Sequence, residues 1–339
     1  MFPGILPDRI RAMLSSWKRP ALVALTTFYL SHIAHSGESI AIRGEAILEQ
    51  THTIVQATVD QSLKQSGQLI VLTGPKRVEG TYTYASAGSL WRDELVLPGY
   101  REIRVRTGTE EKIQRPLDHA PLPIYAAFEG VRPIRWLQLL TDEHITQMKS
   151  ENVSKLSAKC VEIQTKHTDR SVCVYDNGTL AALRSGTGWN YEYSEYSTFE
   201  KAQLPRRIRG IENGKPVFEL RMNAAQAVPA GIDVRDDVNH PTLILGWCKG
   251  ITWPVSDKKV APHYPESARV MRTQGTVDLY GIIAVDGRVT NLTTVRSAGS
   301  DLDRSSLDAV SQWTYRPAMC GTIPVPSETV ISVHYSLSP

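Results

Sequence analysis

Hydrophobic and polar positions along this chain repeat with two periods, and the places where the period changes divide it. Period two dominates QLIVLTG, GTYTYAS and SLWRDELVLPGYREIRVRTG. It returns in SAKCVEIQTK, RSVCVYDNG, GTLAALRS, NYEYSEYSTF, LPRRIRGIENG and KPVFELRMNAA. Alternate residues of a strand face opposite sides, so each run predicts a strand. Thr81, Tyr82, Thr83 and Tyr84 are residue types that favour strands. In Arg101–Arg106, charged residues alternate with Ile103 and Val105, which predicts an antiparallel strand with one wet face. Asn177-Gly178 and Asn213-Gly214 mark hairpin turns, because Gly accepts positive φ without a steric penalty. Helical spacing is confined to Ala46–Gln65 and, after a Pro-rich break at 116–133, to Trp136–Lys149. The expectation is a long meander with one or two helices laid on it, a curved antiparallel sheet or half-barrel.

The last part of the chain changes rhythm. TVDLYGIIAV (276–285) places Val277, Leu279, Ile283 and Val285 on one face of a half-buried strand. Asp286-Gly287 turns it into RVTNLTTV. Ser300 is the expected N-cap of a helix, with Asp301 and Asp303 at its positive end. Leu307, Val310 and Trp313 continue that helix and Pro317 stops it. ETVISVHYSL then alternates again, Val330, Ser332 and His334 against Ile331, Val333, Tyr335 and Leu337. With the short helix expected near Tyr264, the order is helix, hairpin, helix, strand. A terminal strand beside a hairpin falls at a sheet edge, where unpaired N–H and C=O groups can receive an extended peptide.

The N-terminus reads as a targeting segment. Arg9, Arg11, Lys18 and Arg19 precede the apolar run ALVALTTFYL, and Ala34-His35-Ser36 is the expected cleavage site before Gly37. The alternative is an uncleaved anchor, although the run is shorter than the roughly 20 residues a span requires. Residues 1–36 carry four basic residues and one acid, so removing them takes the net charge from +3 to zero. A neutral protein lacks the field that nucleic-acid binding needs, and Arg206-Arg207-Ile208-Arg209 reads as a solvated strand face. Four cysteines in an exported chain tend to oxidise. Cys160 and Cys173 lie on the two arms of one hairpin and face each other if it pairs, which leaves Cys248 with Cys320. No CxxC, HExxH, GxSxG, Walker A or dinucleotide-binding GxGxxG pattern occurs in context, so no catalytic residue, metal ligand or cofactor is assigned and the expectation is a non-enzyme.

Tyr264-Pro265-Glu266 with Ala268-Arg269, then Gly275-Thr276-Val277, Asp286-Gly287-Arg288-Val289, Val295 with Ser297 and Gly299, Leu302 with Leu307, Ala309 and Val310, and Trp313 to Ala318 form an ordered set. In that order and spacing the segment resembles the C-terminal domain of TonB, the energy transducer of Gram-negative envelopes. The resemblance implies a ββαβ domain that adds a partner's TonB-box peptide as a strand to its own last strand, here about Glu328–Leu337. It points to Tyr264 and Pro265, and to Thr329, Val330, Ile331, Ser332, Val333, His334 and Tyr335, as the partner-binding residues. The chain departs from TonB in having no Pro-Lys or Pro-Glu arm, which puts energy transduction in doubt but not peptide docking.

GTYTY, SLWRDELVLPGYREI and CVYDNGTL are similar to exported TonB-family proteins in which a LolA/LolB-like domain precedes the TonB domain. This implies a concave apolar face able to hold a lipid or acyl chain. The alternative is a sheet filled by its own helix. Tyr191, Tyr193 and Tyr196 either line such a groove or pack on neighbours with their hydroxyls wet. The expected organisation is α+β: a signal peptide or anchor (1–36), a LolA-like antiparallel domain (37–247) and a TonB-like domain (248–339). The expected place is the periplasm of a Gram-negative-type bacterium, free or anchored in the inner membrane. The expected partner is an envelope protein such as a TonB-dependent transporter. A lipid and a second copy joined through the last strand are further candidates.

Overall fold

The computed structural model describes residues 24–337 except 60, 74, 89, 141, 166–168, 186–188 and 229–236, with side chains from residue 40 onward apart from 58, 59 and 73. The basic part of the expected signal peptide lies outside the described residues. Helix α1 (Ala24–Val59) precedes a meander of β1 (Leu63–Thr73), β2 (Lys76–Ala87), β3 (Leu90–Leu97), β4 (Tyr100–Thr107) and β5 (Glu110–Gln114). After α2 (Leu122–Val131) and a 3-10 turn at Pro133–Leu137 comes a second meander. Its strands are β6 (His144–Val153), β7 (Leu156–Gln164), β8 (Asp169–Tyr175), β9 (Leu180–Ser185), β10 (Asn190–Phe199), β11 (Ala202–Glu212) and β12 (Lys215–Met222). The two meanders fuse because β1 pairs antiparallel with β12, Leu69 opposite Leu220. The short β13 (Gln226–Ala227) extends that seam, and β14 (Leu243–Gly246) adds to β5. The 14-stranded sheet runs from β14 to β6, and these ends do not pair with each other, so the curved sheet stays open.

Two helix expectations are corrected. The first helix stops at Val59, because Leu63 and Gln65 are buried in β1 and Gln65 donates to the Asn223 carbonyl at 2.9 Å. Among the described residues of 136–149 no α-helix forms. The Arg170 guanidinium donates to the Trp136 and Gln138 carbonyls at 2.6 and 2.9 Å and pairs with Glu143, which holds that segment as a turn leading into β6. A helix forms instead inside the Pro-rich break. Pro121 and Pro123 sit where a helix start lacks N–H partners anyway, and Pro133 follows its end.

α2 and the described part of α1 fill the inner side of the sheet. Leu48, Ile124, Tyr125 and Phe128 join Leu69, Tyr82, Leu95, Tyr193, Phe218 and Leu220 in one core. Tyr193 and Tyr196 donate to the Gly130 and Leu180 carbonyls at 2.8 and 2.6 Å, so their hydroxyls are satisfied by backbone rather than wet. Arg207 and Arg209 pair with Glu219 and Glu192 across neighbouring strands. Asn213 and Gly214 both take positive φ (49° and 73°), as a tight hairpin requires.

The C-terminal part opens with β15 (Val255–Lys258) and α3 (Glu266–Val270), then β16 (Gly275–Ile283), β17 (Val289–Arg296) and α4 (Ser300–Val310). The short strands β18 (Thr314–Arg316), β19 (Ala318–Cys320) and β20 (Ile323–Val325) lead to β21 (Ser327–Tyr335). Its sheet has the order β17-β16-β21, the expected ββαβ arrangement. Gly287 at the hairpin turn has φ 82°, and a Cβ there would lie 1.9 Å from the Tyr315 carbonyl oxygen, so only Gly fits. The α4 cap differs from expectation: Gly299 occupies it at φ 120°, and Asp303 accepts from the Ala298 N–H at 3.1 Å in place of a Ser300 cap. Both cysteine pairs are bridged. Cys160 lies directly opposite Cys173 across β7 and β8, and Cys248, just after β14, ties to Cys320.

Candidate docking edge and the domain junction

The small sheet is covered on both faces, which corrects the half-buried expectation for β16. On one face Val277, Leu279, Ile331, Val333 and Tyr335 pack with Leu302, Val310 and Trp313. On the other, Tyr280 and Ile282 pack with Ile113 and Leu245 at the β5 and β14 edge of the large sheet, with Val330 and Val295 alongside. Val285 falls beyond the strand and is exposed. Gly246 permits the close approach, since a Cβ there would sit 2.0 Å from the Val325 Cβ.

Charged residues frame this contact. Glu328 of β21 receives Arg104 at 2.6 Å and Arg115 at 3.2 Å. Arg104 also pairs with Glu102 at 2.7 Å, and Arg115 donates to the Tyr280 hydroxyl at 2.9 Å. Arg106 pairs with Glu111 at 2.6 Å, and Arg132 with Asp93. Glu102 and Arg104 are buried, so the face of β4 expected to be wet is an interior face. Charges become tolerable there because each guanidinium meets a carboxylate and Tyr280 supplies a hydroxyl. Burial alone would raise the Glu328 carboxyl, but Arg104 and Arg115 outweigh it and hold it below the usual carboxylate range. Burial pushes Glu111 up to about 8; Arg104 opposes the shift, and Glu328 and Asp93 add to it. On the far side, Arg296 bridges Asp278, at 2.8 Å, and Glu212 of β11.

β21 therefore has both faces and one edge occupied. Among the described residues it pairs with β16 alone, so its other edge is the unpaired one. The strand starts at Ser327 and ends at Tyr335; Leu337 follows it and donates its N–H to Gln274. The residues singled out from the sequence fall into four groups. Ile331, Val333 and Tyr335 are buried under the helices. Ser332 donates to Asp278 at 2.6 Å, while His334 is exposed beside Thr276. Thr329 lines a cleft of about 260 Å³ shared with Trp136, Trp253 and Tyr315. Tyr264 donates to the Thr273 carbonyl and stacks edge-on against Tyr335, and Pro265 precedes α3, so this pair braces the end of the sheet.

Sequence reasoning missed the junction residues Asp93, Glu102, Arg104, Arg106, Glu111, Arg115, Arg132 and Glu328. The available signal was Glu102 two residues from Arg104 on one strand face, a pattern that pairs within the strand itself.

The architecture is that of an α+β protein with a small C-terminal sheet that has β21 at its edge. Residues 260–337 match the family described as Gram-negative bacterial TonB protein C-terminal, so the chain carries a TonB-type C-terminal domain behind its antiparallel half-barrel. No curated protein matches the chain. Similar solved structures include a LolA superfamily protein of Nitrosomonas europaea, 13% identical with a TM-score of 0.38, covering 57% of this chain and 96% of that one. Another is a DUF1329 family protein of Desulfovibrio piger, 8% identical with a TM-score of 0.39, covering 57% and 95%. A third is MucB in complex with MucA(peri), 9% identical with a TM-score of 0.27, covering 66% and 70%.

Proposed function

We propose that this chain is a non-enzymatic envelope protein that docks a partner by strand addition to β21. The partner is an envelope protein presenting an extended TonB-box-like peptide, a TonB-dependent transporter or one of that kind, and the docking supports transport across the envelope. The observation that carries the reading is the unpaired edge of β21 in a sheet whose two faces are already covered. The N–H and C=O groups of such an edge bind backbone, and flanking side chains select the sequence. Thr329 to Tyr335 thus act mainly through their main chain, and Tyr264 and Pro265 brace the end of the sheet. Two disulfides favour an oxidising compartment, which supports the periplasm. Among the described residues no helix is long and apolar enough to cross a membrane.

Hydrogen exchange of the full chain with a synthetic TonB-box peptide tests this. Expected is new protection within 327–335 and none along β17, the opposite edge. Saturating peptide that leaves 327–335 unchanged refutes the reading. A dimer that forms without peptide and protects the same residues would make a second copy the occupant.

A second reading, a lipid or acyl carrier, draws on an apolar cavity between α1, α2 and the sheet, lined by Ile54, Tyr84, Tyr196 and Met222. Its volume is about 70 Å³. Native mass spectrometry of protein exported to a periplasm decides this: a lipid-sized mass lost on denaturation supports it, and a bare chain opposes it.

A further inference from the structure

A separate cavity of about 110 Å³ lies at the domain junction, with Arg104, Arg106 and Arg132 and the indoles of Trp91, Trp247 and Trp253 among its walls. The ion pairs described above use only part of each guanidinium. Among the described residues, Arg104 Nη2, Arg106 Nε, Arg132 Nη1 and Trp253 Nε1 remain buried without an acceptor. All four are donors, and no acceptor on a residue lining this cavity is orphaned in the same way. The carboxyl groups that pair with these arginines, those of Asp93, Glu102, Glu111 and Glu328, do not line it. Glu129 does, and it is tied to Arg135 at 3.0 Å. Two guanidinium groups lie over indole rings, Arg106 on Trp247 at 4.7 Å and Arg132 on Trp91 at 5.2 Å. Such stacking fixes the direction of the free N–H groups.

We infer that this cavity is a binding site for an oxyanion, a phosphate group held by these arginine and indole donors. The groups left without partners here are all donors, which calls for an occupant that only accepts. Phosphate oxygens meet several N–H groups at once, whereas a hydroxyl or amide would bring unmatched donors of its own. Arg132 and Ile134 also line the apolar cavity of the half-barrel, so the phosphate can be free or can head a chain that runs on into that cavity. The inference does not depend on docking at β21.

Calorimetric titration of the full chain with inorganic phosphate, and separately with a monoacyl glycerophosphate below its micelle concentration, tests it. Trp253→Phe removes one donor and keeps an aromatic ring in the same place. Expected is saturable binding that weakens about tenfold in Trp253→Phe, the loss of one hydrogen bond, and disappears in Arg106→Gln. Saturation by inorganic phosphate identifies a free anion; saturation by the acyl phosphate alone identifies a headgroup. The inference is overturned if wild type binds neither ligand at millimolar concentration, or if Trp253→Phe binds as tightly as wild type.

Discussion

Replacing Glu328 by Ala removes the carboxylate on which Arg104 and Arg115 converge. Both guanidinium groups are buried, with side-chain exposures of 6% and 0%. Each keeps another partner: Arg104 retains Glu102 at 2.7 Å, and Arg115 retains the Asp118 carbonyl and the Tyr280 hydroxyl, both at 2.9 Å. Stripping one partner from a buried pair costs about 3–5 kcal/mol. The surviving contacts place this case near the lower end, about 3 kcal/mol. The loss falls on the junction, because Glu328 sits on β21 and its partners sit on or next to β4 and β5. At tenfold per 1.4 kcal/mol, the junction should open roughly 100-fold more often. Hydrogen exchange resolved by peptide should report that acceleration in β5, β14 and β16, with β8 and β9 unchanged. Glu328→Gln, which retains an acceptor but no charge, should fall between. If exchange in Glu328→Ala stays within about twofold of wild type, the carboxylate does not hold the junction and the ionic account is wrong.

Three further outcomes follow from the same geometry. Glu111 holds its proton more tightly when folded, so its contribution to stability is full below the ordinary value of 4.5 and falls as pH rises to about 8. Glu328 has the opposite sign: its contribution is present above 4.5 and is lost as pH falls through its lowered value. Urea midpoints should therefore decline between about pH 5 and pH 8, and Glu111→Gln should flatten that slope; an unaltered slope would assign it to another group. Cys320→Ser opens a bridge between residues 72 apart, for which chain entropy predicts a loss of about 4 kcal/mol in equilibrium denaturation. Gly246→Ala should destabilise by about 1–3 kcal/mol, because its Cβ would overlap Val325, and a Val325→Ala background should recover part of the loss.

Much of the fold was legible in the sequence because strands, hairpins and cysteine pairing are set by neighbours along the chain. Alternation located β1 to β4 and β7 to β12, the NG and DG turns located hairpins, and the hairpin of β7 and β8 placed Cys160 against Cys173. The C-terminal pattern was specific enough to predict the ββαβ unit, its order and the strand at its edge. What period two cannot say is what covers a face. Arg101–Arg106 looked like a strand with a wet side, yet that side became the floor of the domain junction once Glu328, about two hundred residues away, arrived to pair with it. Likewise 136–149 carried helical spacing, but Arg170 from β8 captured its carbonyls and Glu143. Local chemistry determined the elements. Long-range pairing of buried charges and close packing at Gly246 decided which faces are interior, and so left the outer edge of β21 as the unpaired one.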